Sequence, residues 1–134
     1  MKLIFHKYIV PFFVAFIVFV VTMMKGEAMV QEHVEWSPKL YGHFFPVLQD
    51  GANSLSVQMD LGKFLLELFI FYILFLLICR GFNIKFNRVS TIVTSVIFAF
   101  TTIYFVLMIS IEFSFTKINT QFNYNTLQSM WFNN

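Results

Sequence analysis

Apolar residues gather in three long runs, Ile9 to Met24, Phe64 to Cys79 and Val89 to Ile111, with polar and charged segments between them. Uninterrupted runs of this length are the pattern of helices that cross a bilayer. The spans expected are 8–24, 62–79 and 89–111. The first run is slightly short for a span: its sixteen residues extend about 24 Å as a helix, against a hydrocarbon core of about 30 Å. Lys7 and Tyr8 can help at its start by snorkelling and by seating a ring at the headgroups, and Pro11 falls in the first turn, where a missing N–H costs little. A rival reading makes residues 1–28 a cleaved signal peptide, because Lys2 and Lys7 precede the apolar run and Gly26-Glu27-Ala28 supplies small residues for a cut.

Residues 25–61 form a long loop. From Ser37-Pro38, a serine cap followed by proline at the first helical position, Leu40, Tyr41, Phe44, Phe45 and Leu48 recur at helical spacing until Asp50-Gly51. This predicts a short amphipathic helix over 38–49 at the membrane interface, bent or shortened by Pro46. The polar stretch 51–59 reads as loop. In the tail, 112–134, Asn125 can cap a last short helix bearing Leu127, Met130 and Trp131. The fold expected is an all-α integral membrane protein of three transmembrane helices and one interfacial helix, a single membrane domain over 1–134.

Composition agrees with lipid as the solvent, since 58% of positions are hydrophobic and only 12% charged. Twenty phenylalanines supply packing volume without polar atoms to satisfy. The net charge of +2 conceals a sorted distribution. The loop 80–88 carries Arg80, Lys85 and Arg88 without an acid, and Lys2 and Lys7 open the chain. Glu27, Glu32, Glu35, Asp50, Asp60 and Glu112 lie in the other connections. Basic residues concentrate on the cytoplasmic side of short-loop membrane proteins. The expected location is therefore a bacterial inner membrane, with the N-terminus cytoplasmic and the C-terminus periplasmic. Arg80, Lys85 and Arg88 orient the chain and meet lipid headgroups; nucleic acid is not a partner this pattern calls for.

Within the third run, Thr91, Ser95, Ala99 and Thr102 form a stripe of small side chains, a candidate seam for internal packing or for a partner helix. Glu67 is the one charged residue inside the three apolar runs. Such residues are functional candidates by default, although Lys63 one turn earlier offers a pairing near the membrane boundary. Trp36, Phe44, Phe45 and Trp131 are expected at the interface. His33 and His43 share the long loop with Glu32, Glu35 and Asp50, but their spacing matches no known metal site, so neither metal nor cofactor is expected. Cys79 has no partner for a disulfide.

No residue pattern for nucleophilic, acid–base or phosphate-binding chemistry is present, so no enzymatic activity is expected. The layout is similar to that of small immunity proteins against pore-forming bacteriocins, in architecture and not in motif. The expected function is binding of another membrane protein, as an accessory subunit of a membrane complex or as an inhibitor of a membrane-acting toxin. The alternative is an oligomeric channel, holin-like pore or small transporter using Glu67, in which several copies line the path. The expected partners are thus the lipid bilayer and either another integral membrane protein or further copies of the chain.

Overall fold

The computed structural model describes residues 5–27, 38–51, 56–109, 112–119, 121 and 128–129. It overturns the all-α expectation. The described residues form three helices and a mixed β-sheet, and among them only two of the helices are long and apolar enough to cross a membrane. The chain divides into two compact units, a helical one (Met1–Val21 and Leu68–Val106) and a sheet-bearing one (Thr22–Glu67 and Leu107–Asn134).

A π-helical turn, Phe5–Ile9, leads into helix α1, Val10–Val21. The apolar run stops being helical there because Met24 and Lys25 are already paired in the sheet, with Gly42 and Tyr41. What the run predicts as a span over 8–24 is thus a shorter helix with one face buried through Val10, Pro11, Ala15, Phe16, Phe19 and Val20. Helices α2, Leu61–Gly81, and α3, Arg88–Ile109, correspond to the second and third runs. Only 17% and 6% of their apolar stretches are buried within the protein.

Aromatic packing organises the helical unit. Phe13 of α1 stacks on Phe98 of α3 with ring centroids 4.2 Å apart, Phe16 meets Phe98 and Phe105 edge-on, and Phe19 meets Phe71 edge-on. Such pairs contribute about 0.5–1.5 kcal/mol beyond the area they bury. The loop between α2 and α3 is closed at both ends. Asn83 adopts a left-handed φ of 51°, while Ile84 N–H donates to the Cys79 carbonyl and Asn83 N–H to that of Arg80. That is a Schellman cap with asparagine in place of glycine. Asn87 then caps α3, its Oδ1 accepting the Ser90 N–H at 2.8 Å.

Strands β1 (Met24–Glu27), β2 (Lys39–Gly42), β3 (Pro46–Asp50), β4 (Ser56–Met59), β5 (Glu112–Phe115) and β6 (Gln128–Ser129) form one sheet in the order β5-β4-β3-β2-β1-β6. All neighbours are antiparallel except β4 and β5, whose parallel pairing uses the α2–α3 hairpin as its crossover. Met23, Leu40, Val47, Leu48, Met59 and Ile118 are buried.

The interfacial helix expected over 38–49 is the β2–β3 hairpin. Helical spacing was present, but Pro46 stands four residues after Gly42, and in a helix its ring would strike the Gly42 carbonyl and remove a hydrogen bond. As a strand, the same segment begins on the proline, where no ladder N–H is required. The polar stretch expected as loop over 51–59 contains β4. Of the expected terminal helix, Gln128 and Ser129 form β6, while Asn125, Leu127, Met130 and Trp131 lie outside the described residues.

Candidate functional site

The β2–β3 connection gathers several backbone N–H groups of the sheet unit onto one carboxylate. Gly42 has φ of 156°, and a Cβ there would run into the Phe45 carbonyl oxygen, so the bend requires glycine. The bend turns the N–H groups of His43, Phe44 and Phe45 away from the sheet ladder, and buried amides need acceptors. Glu67, on the first part of α2, supplies them. Its side chain is fully buried, and Oε1 accepts N–H from Phe45 at 2.5 Å and Phe44 at 2.7 Å. The His43 N–H lies 3.2 Å from both carboxylate oxygens.

The Lys63–Glu67 pair expected from their spacing is not the arrangement found. Lys63 donates from Nζ to the Ile118 carbonyl and lies 3.9 Å from Asp60. Asp60 is the cap of α2, with Oδ1 accepting the Lys63 N–H at 3.2 Å and Oδ2 accepting the Ile118 N–H at 3.1 Å. The two side chains together hold both backbone groups of Ile118, one residue pair standing in for a strand. Burial works to raise the Asp60 pKa, but the N–H donors of Lys63 and Ile118, the Lys63 ammonium and the Gly62 N–H outweigh it and hold the carboxyl below its usual range. Across the β2–β3 hairpin, Tyr41 donates to Asp50 Oδ1 at 3.0 Å. Burial first, then the Asp50 charge and this bond, push the phenol well above its ordinary value.

The His43 ring extends the Glu67 cluster. Nδ1 lies 3.4 Å from Glu67 Oε2 and Nε2 lies 2.9 Å from the exposed Thr22 hydroxyl. In the tautomer with hydrogen on Nδ1, the imidazole donates to the carboxylate and accepts from Thr22. Hydroxyl, imidazole and carboxylate in series is the order of an acyl-transfer triad. The adjacent amides of residues 43–45, the natural oxyanion donors, are however committed to Glu67, so the geometry is that of a braced turn. No family model, curated relative or solved structure matches this chain.

The remaining sequence-derived residues divide between the units. Thr91, Ser95 and Thr102 are half-buried on the α3 face that also carries Phe98 and Phe105, whereas Ala99 is exposed. Each hydroxyl bonds back to its own helix, Thr91 to Asn87, Ser95 to Thr91 and Thr102 to Phe98. They are thereby satisfied locally, while Phe98 and Phe105 on the same face meet Phe13 and Phe16 of α1. Arg80 and Lys85 line a cavity of the helical unit, which Arg88 does not. Phe44 and Phe45 are 53% and 41% exposed at the tip of the β2–β3 bend. Trp36, Trp131 and His33 lie outside the described residues. Among those described, no three His, Cys, Asp or Glu side chains converge as metal ligands.

Sequence reasoning missed Asn83 and Asn87 as caps, although asparagine at the end of one apolar run and three residues before Ser90 is a cap signature. It also missed His43–Phe45 as the partners of Glu67, which no local spacing reveals.

Proposed function

We propose that this chain is a small, non-enzymatic membrane protein that acts by binding another integral membrane protein, as an accessory subunit or as an inhibitor of a membrane-acting toxin. The observation that carries this reading is the exposed apolar surface of α2 and α3. Leu65, Phe69, Leu77, Val89, Phe100 and Leu107 are all solvent-facing in the isolated chain, and apolar surface on this scale requires lipid or a partner helix. Phe44 and Phe45, projecting from a rigid bend, add an aromatic contact of the kind that anchors protein interfaces.

Glu67 weighs against the channel reading. A carboxylate enclosed by three amide donors and an imidazole is not poised to exchange water, protons or cations along a path. The charge pattern supports an inner-membrane location with the loop 80–88 cytoplasmic and the tail after Ile109 on the opposite side. Lys7 lines the same cavity as Arg80 and Lys85, which favours the N-terminal segment on the cytoplasmic side as well. The reading is tested by alkaline extraction of native membranes followed by purification in mild detergent. Retention in the bilayer and stoichiometric co-elution of a second integral membrane protein are expected, and release into the alkaline supernatant would refute it.

A further inference from the structure

The helical unit contains a cavity of about 530 Å³ lined from three directions, by the N-terminal turn, by the end of α2 and by the loop that follows it. Its ionisable side chains of possible positive charge are His6, Lys7, Arg80 and Lys85, and no carboxylate is among the lining residues. The rest of the wall is largely apolar, with Leu76 and Ile84 representative. The Schellman cap at Asn83 fixes the loop that carries Ile84 and Lys85, so the cationic groups are brought together by a built backbone and not by a loose tail.

We infer that this cavity is a binding site for an anionic phospholipid, with the phosphate held by Arg80, Lys85, Lys7 and His6 and an acyl chain lying against Leu76. Two features select this ligand. A single-sign cationic mouth complements a phosphodiester, for which the arginine fork is well shaped. A continuous apolar wall complements hydrocarbon, which a soluble phosphate or an acidic peptide lacks. Basic pockets between helices at the cytoplasmic boundary are where anionic headgroups are captured in general, and the volume falls in the range of small-molecule sites. The inference rests on the membrane reading above, and goes beyond charge-based orientation because it places a particular lipid class in a particular cavity.

The test uses the purified full-length chain in nanodiscs of phosphatidylcholine containing a minor fraction of phosphatidylglycerol. The lipid retained on the protein after transfer to detergent is counted by native mass spectrometry. Wild type is expected to retain phosphatidylglycerol preferentially, and Arg80→Gln and Lys85→Gln are each expected to lower that retention by about fivefold, the effect of one basic group near an anionic headgroup. Arg80→Lys keeps the charge and is expected to retain most of the binding, which guards against misfolding as the cause. Lys25→Gln and Lys39→Gln, in β1 and β2, are expected to behave as wild type. Leu76→Trp fills the apolar wall while leaving every cation in place, and is expected to abolish the preference.

Equal losses from the Lys25 and Lys39 variants, or an unchanged preference in Leu76→Trp, would reduce the effect to diffuse charge and overturn the site. Displacement of the lipid by inorganic phosphate alone would make it a soluble-anion site, and displacement by an acidic peptide would make it a protein contact; either overturns the lipid assignment. Failure of the wild-type chain to enter nanodiscs at all would instead remove the membrane reading beneath it.

Discussion

Glu67 and Phe45 are joined by the shortest of the bonds that brace the β2–β3 bend, with the Phe45 N–H 2.5 Å from Oε1. A buried carboxylate that accepts several backbone amides is a structural acceptor, because removing it leaves each donor desolvated and unpaired. Glu67→Gln replaces one acceptor oxygen by an NH₂ that faces N–H groups. We expect a loss of about 2–3 kcal/mol in stability, read as a lower unfolding temperature in detergent and faster proteolysis near residues 43–45. A folded, equally stable Glu67→Gln protein would remove the bracing role.

Gly42 tests the same bend from the other side. Its position admits no Cβ without displacing the Phe45 carbonyl, so Gly42→Ala is expected to destabilise by about 1–3 kcal/mol, the cost of local backbone strain. The loss should overlap with that of Glu67→Gln in the double variant, since both act on one turn. Fully additive losses would show two independent sites.

Asp60 links stability to acid. Its carboxyl titrates lower in the folded chain than the ordinary value of 3.8, so the ionised form is the one the fold favours. Its contribution is complete well above pH 3.8 and is lost as the pH falls through the folded-state value. Asp60→Asn should therefore be less stable than wild type at neutral pH, with the difference shrinking under acid. A difference that stays constant into that acid range would contradict the capping role.

The α2–α3 loop yields a further test. Asn83 sits in the left-handed region, which a β-branched side chain avoids. Asn83→Val is expected to cost about 1–2 kcal/mol, whereas Asn83→Gly should be neutral or better. Circular dichroism melting in detergent distinguishes the two, and equal melting of both variants would argue against the cap.

The α2–α3 hairpin was legible because a long apolar run leaves few alternatives and a basic break separates the two helices. The sheet was not, and the reasons are local to particular residues. Leu40, Tyr41, Phe44, Phe45 and Leu48 satisfy a helical period, and strands of four residues are too short for alternation to outvote it. The contrary signal was Gly42 followed by Pro46, a pair incompatible with one helix. The pairing of Val57 with Phe113 in β4 and β5 spans the whole helical hairpin, and no periodicity reports a contact of that separation. Glu67 was legible as an unusual acid, but Lys63 at one turn's distance hid the amides of residues 43–45 that it serves.

Binding through the exposed aromatic tip and apolar helix faces is tested most directly by site-specific photo-crosslinking. A photoreactive residue at Phe44 and another at Phe100, which is 70% exposed, would be activated in native membranes. We expect discrete adducts in which mass spectrometry identifies the same integral membrane protein from both positions. Adducts made only of further copies of the chain, or only of lipid, would contradict a function exercised by binding another membrane protein.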